Sequence, residues 1–305
     1  GGERSSAELR WNGSHRLNRI KERAAFSPTG DLVAADCLAL EVATGKISRQ
    51  MAVWNAVTGS LVRAWPVPRE GAALRVSFAP DGKRVVLVSA EWRSVRGRND
   101  WRGGTAFVFD LASGTLIGEF TDGPSRGFLD AALLADGNLI ATGPDVGLVE
   151  INVATGTVRP LAAGPEGRGN GLAVDPAGTT LVVADGNGLQ LLDRAGRVKG
   201  RLDGHAGVIH HAEFGPDGRT LLTASSDQTA RMWNTSTGKP IAVLAGHVGP
   251  VHFAAAGRDD RTVVTYSSDG TFKVWHPGGD ELPSLDTAAR NEWTPGLAFG
   301  PGGRW

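Results

Sequence analysis

Forty-two residues separate SSDQTARMWN, at 225–234, from SSDGTFKVWH, at 267–276. Self-similarity at that period restricts the fold severely. A unit of this size cannot bury its own apolar faces, so copies of it must pack against one another in a stack or a ring. A second landmark carries the same beat through the rest of the chain: AAFSPTG at 24–30, VSFAPDG at 76–82, ALLADG at 132–137, LAVDPAG at 172–178, AEFGPDG at 212–218, AAAGRDD at 254–260 and LAFGPGG at 297–303. With Phe26, Phe78, Leu133, Val174, Phe214, Ala256 and Phe299 as equivalent anchors, the steps are 52, 55, 41, 40, 42 and 43 residues.

Each landmark is a short apolar run broken by Pro, Asp and Gly in most copies, the chemistry of a tight turn between antiparallel strands. A β-prone run follows (LVAA, VVLVS, LIAT, LVVA, LLTAS, VVTYS). A third run then ends in a large apolar residue plus a polar one: Trp54-Asn55, Phe109-Asp110, Ile151-Asn152, Leu192-Asp193, Trp233-Asn234 and Trp275-His276. A Gly turn and a fourth run complete the unit. No stretch carries apolar residues at the 3.6-residue period of a helix, so the chain is expected to be all-β with four short strands per unit. A radial array of four-stranded antiparallel sheets suits it, because both faces of each sheet are then buried between neighbours.

Composition narrows the function. Lys plus Arg number 32 and Asp plus Glu 32, so no global field draws the chain to nucleic acid or an anionic membrane. The lone Cys37 rules out an internal disulfide framework and a cysteine zinc site. No apolar run is long enough to span a bilayer as a helix, and the polar opening GGERSSAELR is no secretory signal, which makes cytoplasmic residence the default expectation.

The repeats resemble those of WD-40 β-propellers, of a bacterial type with degenerate middle units. The family signature of Gly-His, a turn Asp and Trp-Asp is matched by Gly204-His205, Asp227 and Trp233-Asn234, then by Gly246-His247, Asp269 and Trp275-His276. The resemblance implies one propeller domain over residues 1–305, most readily of seven blades, with the last incomplete unless AELRWN at 7–12 supplies a strand. A window cut from a longer protein is the other way to read that gap. The resemblance also implies that His205, Thr223 or Ser225, Asp227 and Trp233 form a hydrogen-bonded chain inside one blade, and His247, Thr265 or Ser267, Asp269 and Trp275 in the next.

Asp, His and Ser together invite a hydrolase reading, but a catalytic set is needed once and this one recurs with the repeat. His205, His210, His211, His247 and His252 invite a metal reading. His210 and His252 are again 42 residues apart, which marks repeat equivalence, and neither metal nor cofactor is expected. The stretch GLAVDPAGTTLVVADGNGLQLLDRAG at 171–196 is also similar to lactonase-type propellers, which would hold a divalent ion in the central channel; Asp130, Asp145, Asp175 and Asp185 are the candidates for that alternative.

The expected role is a non-catalytic protein-interaction scaffold, monomeric as a domain. Two long steps place extra residues between the second and third strands of the first two units, at 36–50 and 91–104. The second insertion, EWRSVRGRNDWRGG, sets Trp92 and Trp101 among Arg93, Arg96, Arg98 and Arg102. Trp and Arg dominate interface hot spots, and an Arg fork grips carboxylate or phosphate. An acidic or phosphorylated protein segment is the partner this loop suggests. An extended hairpin with solvated arginines is the plainer alternative.

Overall fold

The computed structural model describes residues 15–69, 71–95, 98–121, 127–144, 146–161, 171–256 and 262–282. They form six four-stranded antiparallel sheets, each made of strands consecutive in sequence. The first contains β1 (His15–Phe26), β2 (Leu32–Glu41), β3 (Ile47–Asn55) and β4 (Leu61–Pro66). The second contains β5 (Ala72–Phe78), β6 (Arg84–Val95), β7 (Arg98–Asp110) and β8 (Thr115–Thr121). The third is β9 (Asp130–Leu133), β10 (Asn138–Gly143), β11 (Gly147–Asn152) and β12 (Val158–Pro160). The fourth is β13 (Leu172–Val174), β14 (Thr180–Asp185), β15 (Gly188–Asp193) and β16 (Val198–Leu202). The fifth is β17 (Ile209–Phe214), β18 (Thr220–Ser225), β19 (Thr229–Asn234) and β20 (Pro240–Ala245). The sixth is β21 (Val251–Ala256), β22 (Val263–Ser267), β23 (Phe272–Trp275) and β24 (Glu281–Leu282).

Turn chemistry sets these boundaries. In the fifth sheet the Pro-Asp-Gly turn closes with Gly218 at φ 67°, and the Ser-Thr-Gly turn with Gly238 at φ 69°, both in the left-handed region where a Cβ is strained. Register then repeats from sheet to sheet. The large residue near the end of each third strand faces an apolar residue near the start of the second strand beside it: Trp54 opposite Val33, Phe109 opposite Val85, Trp233 opposite Leu221 and Trp275 opposite Val263. All four rings are buried, as are the degenerate equivalents Ile151 and Leu192.

Successive sheets pack face to face. One apolar cluster joins the first and second sheets through Met51, Trp65, Phe107 and Phe109, and another joins the fourth and fifth through Leu189, Leu202, Leu221 and Trp233. At about 1.5–3 kcal/mol for each large apolar side chain taken fully out of water, these seams outweigh any single polar contact. The first strands touch in chain order, β1 to β5, then β9, β13, β17 and β21, and so line the hub.

One expectation needs correction. The sequence predicts seven blades, and the described residues form six. The seventh anchor, Phe299, and the candidate closing strand at 7–12 lie outside the described residues. Of the two readings of the insertion at 91–104, the structure takes the extended hairpin, and the insertion at 36–50 does the same. Residues 36–50 lengthen β2 and β3 into one continuous hairpin, and β1 extends beside them so that His15 pairs with Glu41. Residues 91–104 likewise lengthen β6 and β7, with pairing out to Val95 opposite Arg98. Alternation and β-branched residues continue past the usual turn point, so the ladder continues too.

Candidate functional site

The repeated polar residues come together inside the fifth and sixth sheets. Trp233 Nε1 donates to Thr223 Oγ1 at 2.9 Å, Thr223 Oγ1 lies 2.7 Å from His205 Nε2, and His205 Nδ1 lies 2.8 Å from Asp227 Oδ2. Proton bookkeeping fixes the direction of the chain. Indole only donates and a carboxylate only accepts, so the Thr223 hydroxyl passes its proton to Nε2 and the imidazole carries its own on Nδ1. The sixth sheet repeats the pattern with Trp275 to Thr265 at 2.8 Å, Thr265 to His247 at 2.8 Å and His247 to Asp269 at 3.0 Å.

In both sheets the second-strand Thr, rather than the Ser two residues on, takes the central place. Ser225 and Ser267 instead accept from the Asp227 and Asp269 amides, at 3.2 and 3.1 Å. Each aspartate is gripped further. Asp227 accepts from Ala206 N at 3.0 Å, Thr229 N at 3.0 Å and Thr229 Oγ1 at 2.7 Å. Asp269 accepts from Val248 N at 2.9 Å, Thr271 N at 2.9 Å and Thr271 Oγ1 at 2.6 Å. The family signature does not single out this Thr, though SSDQT and SSDGT both carry it in plain sight.

These contacts set the charges. Burial alone would raise the Asp227 carboxyl, but hydrogen bonds from Thr229, His205 and Ala206 outweigh it and hold the group at about 2. Asp269 is held well below the usual carboxylate range: burial again opposes, and the donors at Thr271, Val248 and His247 prevail. Burial lowers the His205 imidazole, against the pull of Asp227, so it is neutral at pH 7. With both side chains enclosed, at 0% exposure for His205 and 9% for Asp227, the set offers no open approach to a substrate. It ties the strand ends of a blade together.

The described carboxylates of the lactonase-type alternative do not converge. Asp130 accepts from Leu172 N at 3.0 Å and sits 3.7 Å from Arg75 Nε. Asp175 accepts from Thr179 N and Thr180 N at 2.6 and 2.9 Å, and Asp185 pairs with Arg201 at 3.0 Å. Asp145 lies outside the described residues. The His210 and His252 rings stack at 4.9 Å between centroids, as equivalents in neighbouring blades. Among the described residues no group of three His, Cys, Asp or Glu is placed to hold a metal.

Of the proposed partner residues, Trp92 and Trp101 are direct partners in the β6–β7 register, Arg93 pairs with Asp100, and Arg102 pairs with Glu91. Arg98 opens β7, and Arg96 lies outside the described residues. A buried site that sequence reasoning missed lies at the root of the other long hairpin. Arg49 pairs with Asp36 at 2.9 Å, both side chains at most 2% exposed. Its guanidinium crosses to the second sheet, donating to Ser89 Oγ at 2.8 Å and to the Arg69 carbonyl at 2.9 Å.

Four-stranded sheets arrayed about a hub, with one internal polar chain repeated in adjacent sheets, define a β-propeller of the repeat type. Residues 196–234 and 238–276 match the family profile described as WD domain, G-beta repeat. The chain thus carries WD-40 repeats at 196–234 and 238–276, within a β-propeller. It is similar to the Notchless protein homolog of Arabidopsis thaliana, 42% identical over 45 residues, 15% of this chain and 10% of that protein. It is also similar to Eukaryotic translation initiation factor 3 subunit I of Coccidioides immitis (strain RS), 33% identical over 88 residues, 28% of this chain and 23% of that protein. The matches thus span less than a quarter of the length of either relative.

Proposed function

We propose that this propeller is a non-catalytic scaffold whose rim at the β2–β3 and β6–β7 tips recognises an acidic or phosphorylated segment of a partner protein. The observation that carries the reading is the lengthening of two adjacent blades at the same end. Antiparallel order puts the 41–47 and 95–98 turns on the side where first strands begin, opposite the Pro-Gly turns. Trp92, Arg93, Arg96, Arg98, Trp101 and Arg102 belong to the longer of the two hairpins. Four arginines against Glu91 and Asp100 make that segment locally cationic in a chain of zero net charge, and Trp supplies stacking area.

WD-repeat relatives support the general role of binding proteins. The domain is taken as a monomer working in the cytoplasm. Affinity capture with the intact chain and with a Trp92→Ala/Arg96→Ala/Trp101→Ala variant tests the rim, alongside light scattering for the monomer. Loss of acidic or phosphorylated partners with unchanged melting supports it. Recovery of the same partners by the variant refutes it.

A further inference from the structure

The repeat itself supplies a way to find residues that the fold does not require. Strand register makes Ala25, Ser77, Ala132, Ala173, Glu213 and Ala255 equivalent, each one residue before its anchor and opposite Ala34, Val86, Ile140, Val182, Leu222 and Val264 in turn. Four blades place Ala here and one places Ser. The fifth places a carboxylate.

Glu213 lines a cavity of about 430 Å³ at the hub, on the side of the Pro-Gly turns and so at the opposite end of the strands from the extended hairpins. Its volume falls in the range of small-molecule sites. Phe78, Leu133, Val174 and Phe214 contribute apolar wall, while Arg75, Ser77, Asp175 and Glu213 contribute polar groups. Arg75 is matched by Asp130, with Nε 3.7 Å from Oδ1, and Asp175 is held by the Thr179 and Thr180 amides. Among the described pairs Glu213 has only the His211 imidazole, whose Nε2 stands 4.0 Å away, beyond hydrogen-bond reach. Ser77 Oγ is buried in the same lining with no hydrogen-bond partner. The Glu213 side chain is 44% exposed, toward this partly open pocket. Desolvation by the surrounding walls pushes its carboxyl up to about 7 against the opposing pull of Arg75.

We propose that this hub cavity binds a primary ammonium or guanidinium group on a short apolar stem, with Glu213 accepting its N–H donors. A carboxylate set beside apolar wall suits a lysine-like or arginine-like group, whose stem packs on the walls while its head is neutralised. The group could arrive on a free diamine or on a basic side chain of a peptide, since the chemistry recognised is the same.

Isothermal titration of the intact chain at pH 8 tests the site, with Nα-acetyl-lysine methylamide, Nα-acetyl-arginine methylamide and cadaverine as cationic probes and Nα-acetyl-norleucine methylamide as the neutral match. At least one cationic probe is expected to bind ten-fold or more tighter than norleucine, and Glu213→Gln to abolish that difference. Binding by cadaverine assigns the natural source to a free amine, and binding by the capped residues alone assigns it to a peptide; either supports the proposal. Glu213→Ala, which installs the residue of four other blades, is expected to keep or raise the melting temperature while losing the probe. Equal binding of cationic and neutral probes, no binding of any, or unchanged binding by Glu213→Gln overturns the proposal, as does a lowered melting temperature in Glu213→Ala. None of these outcomes bears on the rim reading, which involves the other end of the strands.

Discussion

Replacing Asp227 by Ala removes the acceptor that closes the polar chain of the fifth blade. Four donors lose their partner: His205 Nδ1, Ala206 N, Thr229 N and Thr229 Oγ1. His205 is the costly one, because its side chain is 0% exposed and water cannot replace the carboxylate. Thr229 Oγ1, 3.4 Å from Nδ1, is a poor substitute. Stranding one buried donor costs roughly 1–3 kcal/mol, and the backbone donors, which lie nearer solvent, add about 0.5 kcal/mol each, for a total of about 3 kcal/mol. With an unfolding entropy of roughly 2.1 cal/mol/K per residue, a chain of 305 residues loses about 5 °C of melting temperature for that amount. Differential scanning calorimetry at pH 7 measures it. Asp217→Ala is the control, since Asp217 caps an exposed turn by accepting from Arg219 N at 2.8 Å, and should cost less than about 1 kcal/mol. A melting temperature for Asp227→Ala within 1 °C of the control would refute the reasoning.

The same geometry sets four further expectations. The folded Asp227 carboxyl stands at about 2 against an ordinary 3.8, and folded His205 lies below its ordinary 6.5, so both contribute stability that is present at neutral pH and lost on acidification. Glu213 runs the other way: folded at about 7 against 4.5, its contribution is present below pH 4.5 and is lost as pH rises to 7, so melting temperatures of Glu213→Gln and the parent should coincide near pH 4, diverge progressively up to pH 7 and keep a constant gap above it. Arg49→Met leaves Asp36 charged and buried and should cost about 3–5 kcal/mol in chemical denaturation, with Asp36→Leu/Arg49→Met recovering most of it. Gly270→Ala meets no atom within 4 Å, yet its φ of 82° should cost about 1 kcal/mol by thermal melting, since the strain lies in the backbone.

The repeat was legible because turn chemistry and register are local. The Pro-Gly turns, the large residues that end third strands and the Asp-x-Thr turns can be read from short windows, and each is found at a strand boundary. Gln228 shows the limit of even this reading. It sits at φ 71° where the sixth blade has Gly270, held there by a turn whose ends Asp227 and Thr229 are bonded to each other. Pairings across long gaps were not legible. Arg49 and Ser89 are 40 residues apart in different blades, and nothing near either names the other. The extended hairpin was legible as the plainer alternative for 91–104, but the extent of the ladders was not, because it depends on pairing with a lengthened neighbour strand. Glu213 looked like an ordinary strand residue in AEFGPDG, and its oddity emerges only when register aligns it with Ala in four other sheets.

On this account the repeated His, Thr, Asp and Trp set holds the fifth and sixth blades together locally and leaves recognition to surfaces outside it. Hydrogen–deuterium exchange of Asp227→Ala against the parent chain tests this directly. Faster exchange confined to 205–245 and the strands packed on it, with the first three sheets keeping their protection, is the predicted result. Unchanged protection around β18 and β19, or an equal loss across all six sheets, would contradict it.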